Sequence, residues 1–261
     1  MPRCAPLFLA AAALSLTACI STAPGNGSPI AVISMNARTK GAGFTTSPVA
    51  NFYRASNVTF ASTSGASDSC VAGTFSPLGG TSNATVIGAG STVAIAVSGH
   101  SDTLRKVSST DQTYRSSLAT GLAFTPGDSV TVTISGDNAG FPAASFTGRT
   151  AEAFSASALT VPPSGQALPV TWGPIGDATS VMIVSLRYND GTGSGLNAQL
   201  FCDFVDDGAG TIPAALVAKW ALSSQRDTFM QRLRTLIWQS TSQKQYANLI
   251  STFDIPTPVS P

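Results

Sequence analysis

Five consecutive residues, Ser98-Gly99-His100-Ser101-Asp102, contain a hydroxyl, an imidazole and a carboxylate, the three groups of a hydrolytic triad. In a triad the histidine stands between the other two in space, and the members come from separate parts of a chain. Neighbours in one polar turn do not reach that geometry, and no Gly-x-Ser-x-Gly elbow frames a nucleophile. His100 is the only histidine, so histidine-based hydrolysis depends on it alone. A solvated turn accounts for the same five residues, and no catalytic residue is assigned. Asp203, Asp206 and Asp207 stand beside Gly208 and Gly210, with Asp190 in an earlier glycine-rich stretch. Such carboxylates could gather calcium, or serve as the acid and base of an exported glycoside hydrolase. The alternating Asp/Asn spacing that ends in Glu is absent, and a strand running into an Asp-Gly turn explains the cluster without a metal. The sequence therefore predicts no metal and no cofactor. A hydrolase built on His100 or on Asp203, Asp206 and Asp207 is the alternative to a protein without catalysis.

Aromatic side chains offer a different chemistry. Trp172, Trp220 and Trp238 could stack on sugar rings if two of them lay exposed on one sheet face. Trp172 reads as core, which leaves Trp220 and Trp238 as the possible glycan contacts. No phosphate-cradling loop, dinucleotide fingerprint or zinc motif is present.

The elements that would position these groups are strands. Charged residues make up only 10% of the 261, with 14 Lys+Arg against 13 Asp+Glu. Folded proteins average about 25% charged. Glu152 is the only glutamate, and the strongest formers of exposed helix are scarce. Balanced charge gives no basic footprint for nucleic acid. Val130, Val132 and Ile134 alternate with Thr131 and Thr133, and Val93 to Val97 alternates similarly. Val181 to Tyr188, the Gly-rich stretch Asn189 to Gly195, and Leu196 to Val205 read as a hairpin. Thr211 to Trp220 reads as a short helix or an edge segment, with Pro213 suited to a first helical turn. Phe229, Leu233 and Ile237 fit one face of a helix and of a strand, with Arg232 and Arg234 opposite in the strand; the β context favours a strand.

The amino terminus is read as a targeting segment. Arg3 precedes the apolar run Leu7 to Leu16, too short to cross a bilayer at about 20 residues per span. At its end stands Leu16-Thr17-Ala18-Cys19, which resembles the lipobox of bacterial lipoproteins. The resemblance implies removal of residues 1–18 as a signal peptide and lipidation of Cys19, which would anchor the chain to a membrane. Ile20 after the cysteine, where an aspartate would favour inner-membrane retention, points to the outer membrane if the cell has one. Residues 19–29 would then be the lipidated cysteine and a Gly/Pro-rich tether. With Cys4 lost and Cys19 acylated, Cys70 and Cys202 remain as an even pair in an oxidising compartment, where a disulfide is expected.

Val170 and Trp172 in Leu168-Pro169-Val170-Thr171-Trp172-Gly173-Pro174 share a strand face. A buried tryptophan followed by a proline and a hairpin resembles the early strands of immunoglobulin and fibronectin type III domains. The implied fold class is all-β: two antiparallel, immunoglobulin-like sandwich domains, at 30–157 and 158–261. The function expected is structural or binding, at the cell envelope, toward a protein or glycan partner.

Overall fold

The structure, a computed structural model of the 261-residue chain, describes residues 27–40, 42–55, 68–74, 84–108, 111–176, 179–240, 242 and 244–260. The signal segment, Cys19 and the tether up to residue 26 lie outside the described residues.

Among the described residues the fold is mostly β, with one short helix. In chain order the first strands are β1 (Ser28–Lys40), β2 (Gly43–Thr46), β3 (Val49–Ala55), β4 (Ser69–Thr74), β5 (Thr85–Val86) and β6 (Thr92–Val97). Then come β7 (His100–Lys106), β8 (Tyr114–Arg115), β9 (Leu122–Phe124), β10 (Ser129–Ile134), β11 (Ala144–Arg149) and β12 (Leu159–Thr160). After β13 (Leu168–Thr171), β14 (Ser180–Tyr188), β15 (Ala198–Val205) and β16 (Ala209–Ile212) comes the helix α1 (Ala214–Leu222). The chain ends with β17 (Arg226–Ser240), β18 (Gln245–Pro256) and β19 (Val259–Ser260). Ser28 and Pro29, expected in the tether, instead open β1 opposite Ala55 and Arg54. A proline is tolerated at the head of a strand, where its missing N–H costs least.

The described residues cluster into two compact units, and these are not two consecutive lengths of chain as a single boundary at 157/158 would make them. The first takes residues 27–55, 84–152 and 234–252; the second takes 68–74, 153–233 and 253–260. β17 divides between them at Leu233/Arg234, and β18 at Thr252/Phe253.

In the first unit the strand order is β11-β10-β6-β7-β8-β3-β1-β18. The alternation in sequence becomes alternation in burial: Val93, Ile95 and Val97 of β6 and Val130, Val132 and Ile134 of β10 all point into the core. β6 and β7 are joined by Ser98-Gly99, both with positive φ (52° and 75°), as a tight two-residue hairpin turn requires. Phe52, Tyr114 and Phe141 pack together, and the Tyr114 hydroxyl donates to Gly90 O at 2.7 Å.

In the second unit the order is β17-β14-β15-β4, and β14 and β15 form the expected hairpin, Val181 opposite Val205 and Tyr188 opposite Ala198. Met182, Val184, Leu200, Cys202, Phe204 and Met230 present one apolar face of this sheet. Against it lie Leu168, Val170 and Trp172 from β13 and its continuation, Ile212 from β16, and Val217 and Trp220 from α1. Pro213 precedes α1, which begins where its fixed φ suits a helix start. The ambiguous stretch from Phe229 to Trp238 is strand, inside the 15-residue β17.

Candidate functional site

The triad residues point in different directions. The Ser98 hydroxyl donates to Asp128 Oδ2 at 2.6 Å and accepts from the Thr125 amide at 2.8 Å. His100 is exposed at the turn, opposite Val97. Asp102 is 6% exposed and lies opposite Ile95, in a core shared with Leu104. Ser98 therefore serves a carboxylate thirty residues away and braces the loop after β9.

The aspartates are likewise separated by their partners. Asp203 accepts from the Ser69 hydroxyl of β4, and Asp207 accepts from the Ala209 amide in its own turn. Asp206 turns inward and is 2% exposed. Its carboxylate takes Arg232 Nε at 2.6 Å and Nη2 at 2.9 Å, Trp172 Nε1 at 2.8 Å and Ser180 Oγ at 2.7 Å. Arg232, 0% exposed, also donates to the carbonyls of Gly173 and Ala153, and lies over the Phe154 ring at 5.1 Å. A carboxylate holding four donors has no oxygen turned toward a ligand, so the cluster works as an internal brace of the second unit. Among the described residues no group of three or more His, Cys, Asp or Glu could hold a metal ion.

The two tryptophans expected to contact glycan are placed differently. Trp220 is 0% exposed in the core, with the Arg226 guanidinium 5.4 Å over its ring, so the expectation for it is overturned: α1 turns that face onto the sheet. Trp238 is half-buried and stacks on Phe146 at 5.5 Å, in the first unit. Cys70 and Cys202 stand in register on β4 and β15, with sulfurs 2.05 Å apart, a geometry compatible with a disulfide.

The second unit also carries an open surface cleft of about 490 Å³ at the end of the β14–β15 hairpin. Asn189, Asp190, Gly191 and Gly193 form one wall, Lys219 and Leu222 of α1 another, and Ser223, Ser224 and Gln225 the rest. Hydrogen bonds hold this lining in place. The Asn189 amide donates to Gln225 O, and the Ser223 hydroxyl reaches both Asn189 O and Gln225 O at 2.9 Å. Asp190 accepts from the Thr192 amide and hydroxyl and from Asn197 Nδ2. Those Thr192 bonds, then the Asn197 bond and the charge of Lys219, hold its carboxyl below the usual carboxylate range. At the rim Leu222 is 85% exposed, the most exposed large apolar side chain among the described residues.

The hairpin and Asp190 were legible in the sequence, whereas Lys219, Leu222 and Ser223 to Gln225 were not singled out. Nothing in their spacing marks them, because they meet the hairpin only through tertiary packing. Arg232 and Arg234 were placed on the strand face opposite Phe229, and that face proves to be buried. Arg234, 6% exposed, donates to Glu152 Oε1 at 2.7 Å in the first unit. The usable signal was arginine alternating with apolar residues in a chain so poor in charge: each needs a dedicated carboxylate. The chain matches no protein-family model and no curated protein.

Proposed function

We propose that this chain is a lipid-anchored protein of the cell envelope with a binding role and no catalysis, held to the membrane, the outer one where present, through Cys19. Its partner is a protein, seated on the cleft at the end of the β14–β15 hairpin. The observation that carries this reading is the cleft: a hydrogen-bonded polar lining beside an exposed leucine. Leu222 at 85% exposure is an anchor for an apolar side chain, and Asp190 and Lys219 supply charges of both signs at its edge. A glycan partner would want an aromatic platform, and Trp220 is buried while Trp238 stacks on Phe146. As the finer reading of the body we propose immunoglobulin-like sandwich packing, for which the layering of β13, β16 and α1 over β14 and β15 speaks.

Two measurements test this. Radiolabelled palmitate should enter the wild-type protein and not Cys19→Ala; equal labelling of both removes the anchor. Purified soluble protein beginning at Ser21 should bind saturably to washed envelope fragments, with Leu222→Asp weakening binding at least tenfold. Equal binding by the variant removes the cleft as the site.

A further inference from the structure

The edge strand β4 is held by very little of its own. Its six residues, Ser-Cys-Val-Ala-Gly-Thr, pair with β15 in register from Ser69 opposite Asp203 to Thr74 opposite Ala198. Five of the six are exposed, Val71 at 66%, and only Cys70 reaches the apolar cluster of the second unit. Among the described residues, the ladder and a contact with α1 are joined by two side-chain bonds: Ser69 to Asp203, and the Val205 amide to Asp68 Oδ1 at 3.1 Å. The remaining tie is Cys70 to Cys202, 132 residues apart in sequence.

We propose that the Cys70–Cys202 bond is a redox-operated clasp, whose reduction releases β4 and uncovers the backbone edge of β15. The two sulfurs differ in access: Cys70 is half-buried, whereas Cys202 is 0% exposed. An exported dithiol reductant supplies the electrons. Its thiolate attacks Cys70 Sγ; the Sγ–Sγ bond breaks, a mixed disulfide forms on Cys70, and Cys202 leaves as a thiolate that takes up a proton. The reductant's second thiol, as thiolate, then attacks its own sulfur in the mixed disulfide. Cys70 is released as a thiolate, which is protonated, and the reductant departs as a disulfide. Two electrons and two protons have passed to the protein. β4 then lacks its covalent tie and, among the described residues, any apolar anchor beyond the Cys70 side chain, while pairing with β14 keeps β15 in place. The edge left behind carries Gln199, Phe201 and Asp203 beside a row of free backbone donors and acceptors, the kind of edge an extended strand can join.

Hydrogen–deuterium exchange of the folded, full-length mature protein tests this, before and after treatment with dithiothreitol under native conditions. Reduction should proceed without denaturant, and amides of residues 69–74, with those of 198–205 that face β4, should then exchange at least a hundredfold faster. Peptides of β10, in the other unit, should be unchanged. Cys70→Ser should show the accelerated pattern in the absence of reductant; if that variant does not fold, the reduced wild-type protein alone decides. A bond that resists reduction until the protein unfolds overturns the proposal. So does unchanged protection of β4 after reduction, which would make it a permanently docked strand, and so does acceleration throughout the chain, which would make the bond a general staple.

Discussion

Replacing Arg232 by methionine removes the cation from a fully buried polar cluster in the second unit. Asp206, 2% exposed, would keep Trp172 Nε1 and Ser180 Oγ but lose both bonds to the guanidinium. Stranding one charge of a buried pair costs about 3–5 kcal/mol. Asp206→Leu should cost at least as much, because it takes the carboxylate from the buried guanidinium and also the acceptor from Trp172 Nε1 and Ser180 Oγ. The double variant is the informative one. It buries no charge, and Trp172 Nε1 and Ser180 Oγ lose their Asp206 acceptor, at about 1–3 kcal/mol each. Two independent losses would sum to about 6–10 kcal/mol; the double variant should instead lose no more than the worse single one. Urea unfolding of the soluble form, followed by tryptophan fluorescence, gives all four corners of the cycle. Additive losses, or an Arg232→Met variant that loses less than about 1 kcal/mol, would refute the claim that this pair is buried and mutually dependent.

Three further outcomes follow from the same structure. Glu152→Gln should destabilise the first unit by about 1–3 kcal/mol, since the carboxylate is the acceptor of the nearly buried Arg234, and the loss is measurable by the same denaturation. Gly90→Ala should be worse than an ordinary glycine substitution: φ is +86° there, and a Cβ would come within 2.2 Å of Gly136 O, so a Tm drop of several degrees is expected. Asp190 binds its proton more weakly in the folded hairpin than in the unfolded chain, so its contribution to loop order is complete above the ordinary carboxylate range and is lost as pH falls through the lowered folded value. Carboxyl NMR should find Asp190 titrating below the free residue, and Thr192→Val together with Asn197→Ala should bring it back up.

The fold was legible wherever local pattern and burial agree. Val130-Thr131-Val132-Thr133-Ile134 reads as a strand because period-two alternation is what one buried face imposes, and the glycine-rich 189–195 stretch reads as the turn of a hairpin, where Gly191 and Gly195 take positive φ. β17 was ambiguous because Phe229, Leu233 and Ile237 suit both periods, and its arginines did not announce themselves as buried. Burial of Arg232 depends on Asp206, 26 residues away, and that of Arg234 on Glu152, 82 residues away. Such pairings are decided by tertiary packing and leave no local mark. Division of the chain into units was obscured for the same reason, since β17 and β18 each serve both. Trp220 was misjudged because a tryptophan in a nine-residue helix has no fixed face until the helix docks.

The cleft as a binding site for a protein is tested most directly by site-specific photo-crosslinking in living cells, with a photoreactive amino acid at position 222 and, as the control, at the exposed Val107 of the first unit. The account predicts one discrete adduct from position 222, none from position 107, and loss of the adduct when Lys219→Glu is introduced beside it. No adduct from position 222 above the level at position 107, or an adduct indifferent to Lys219→Glu, would contradict it.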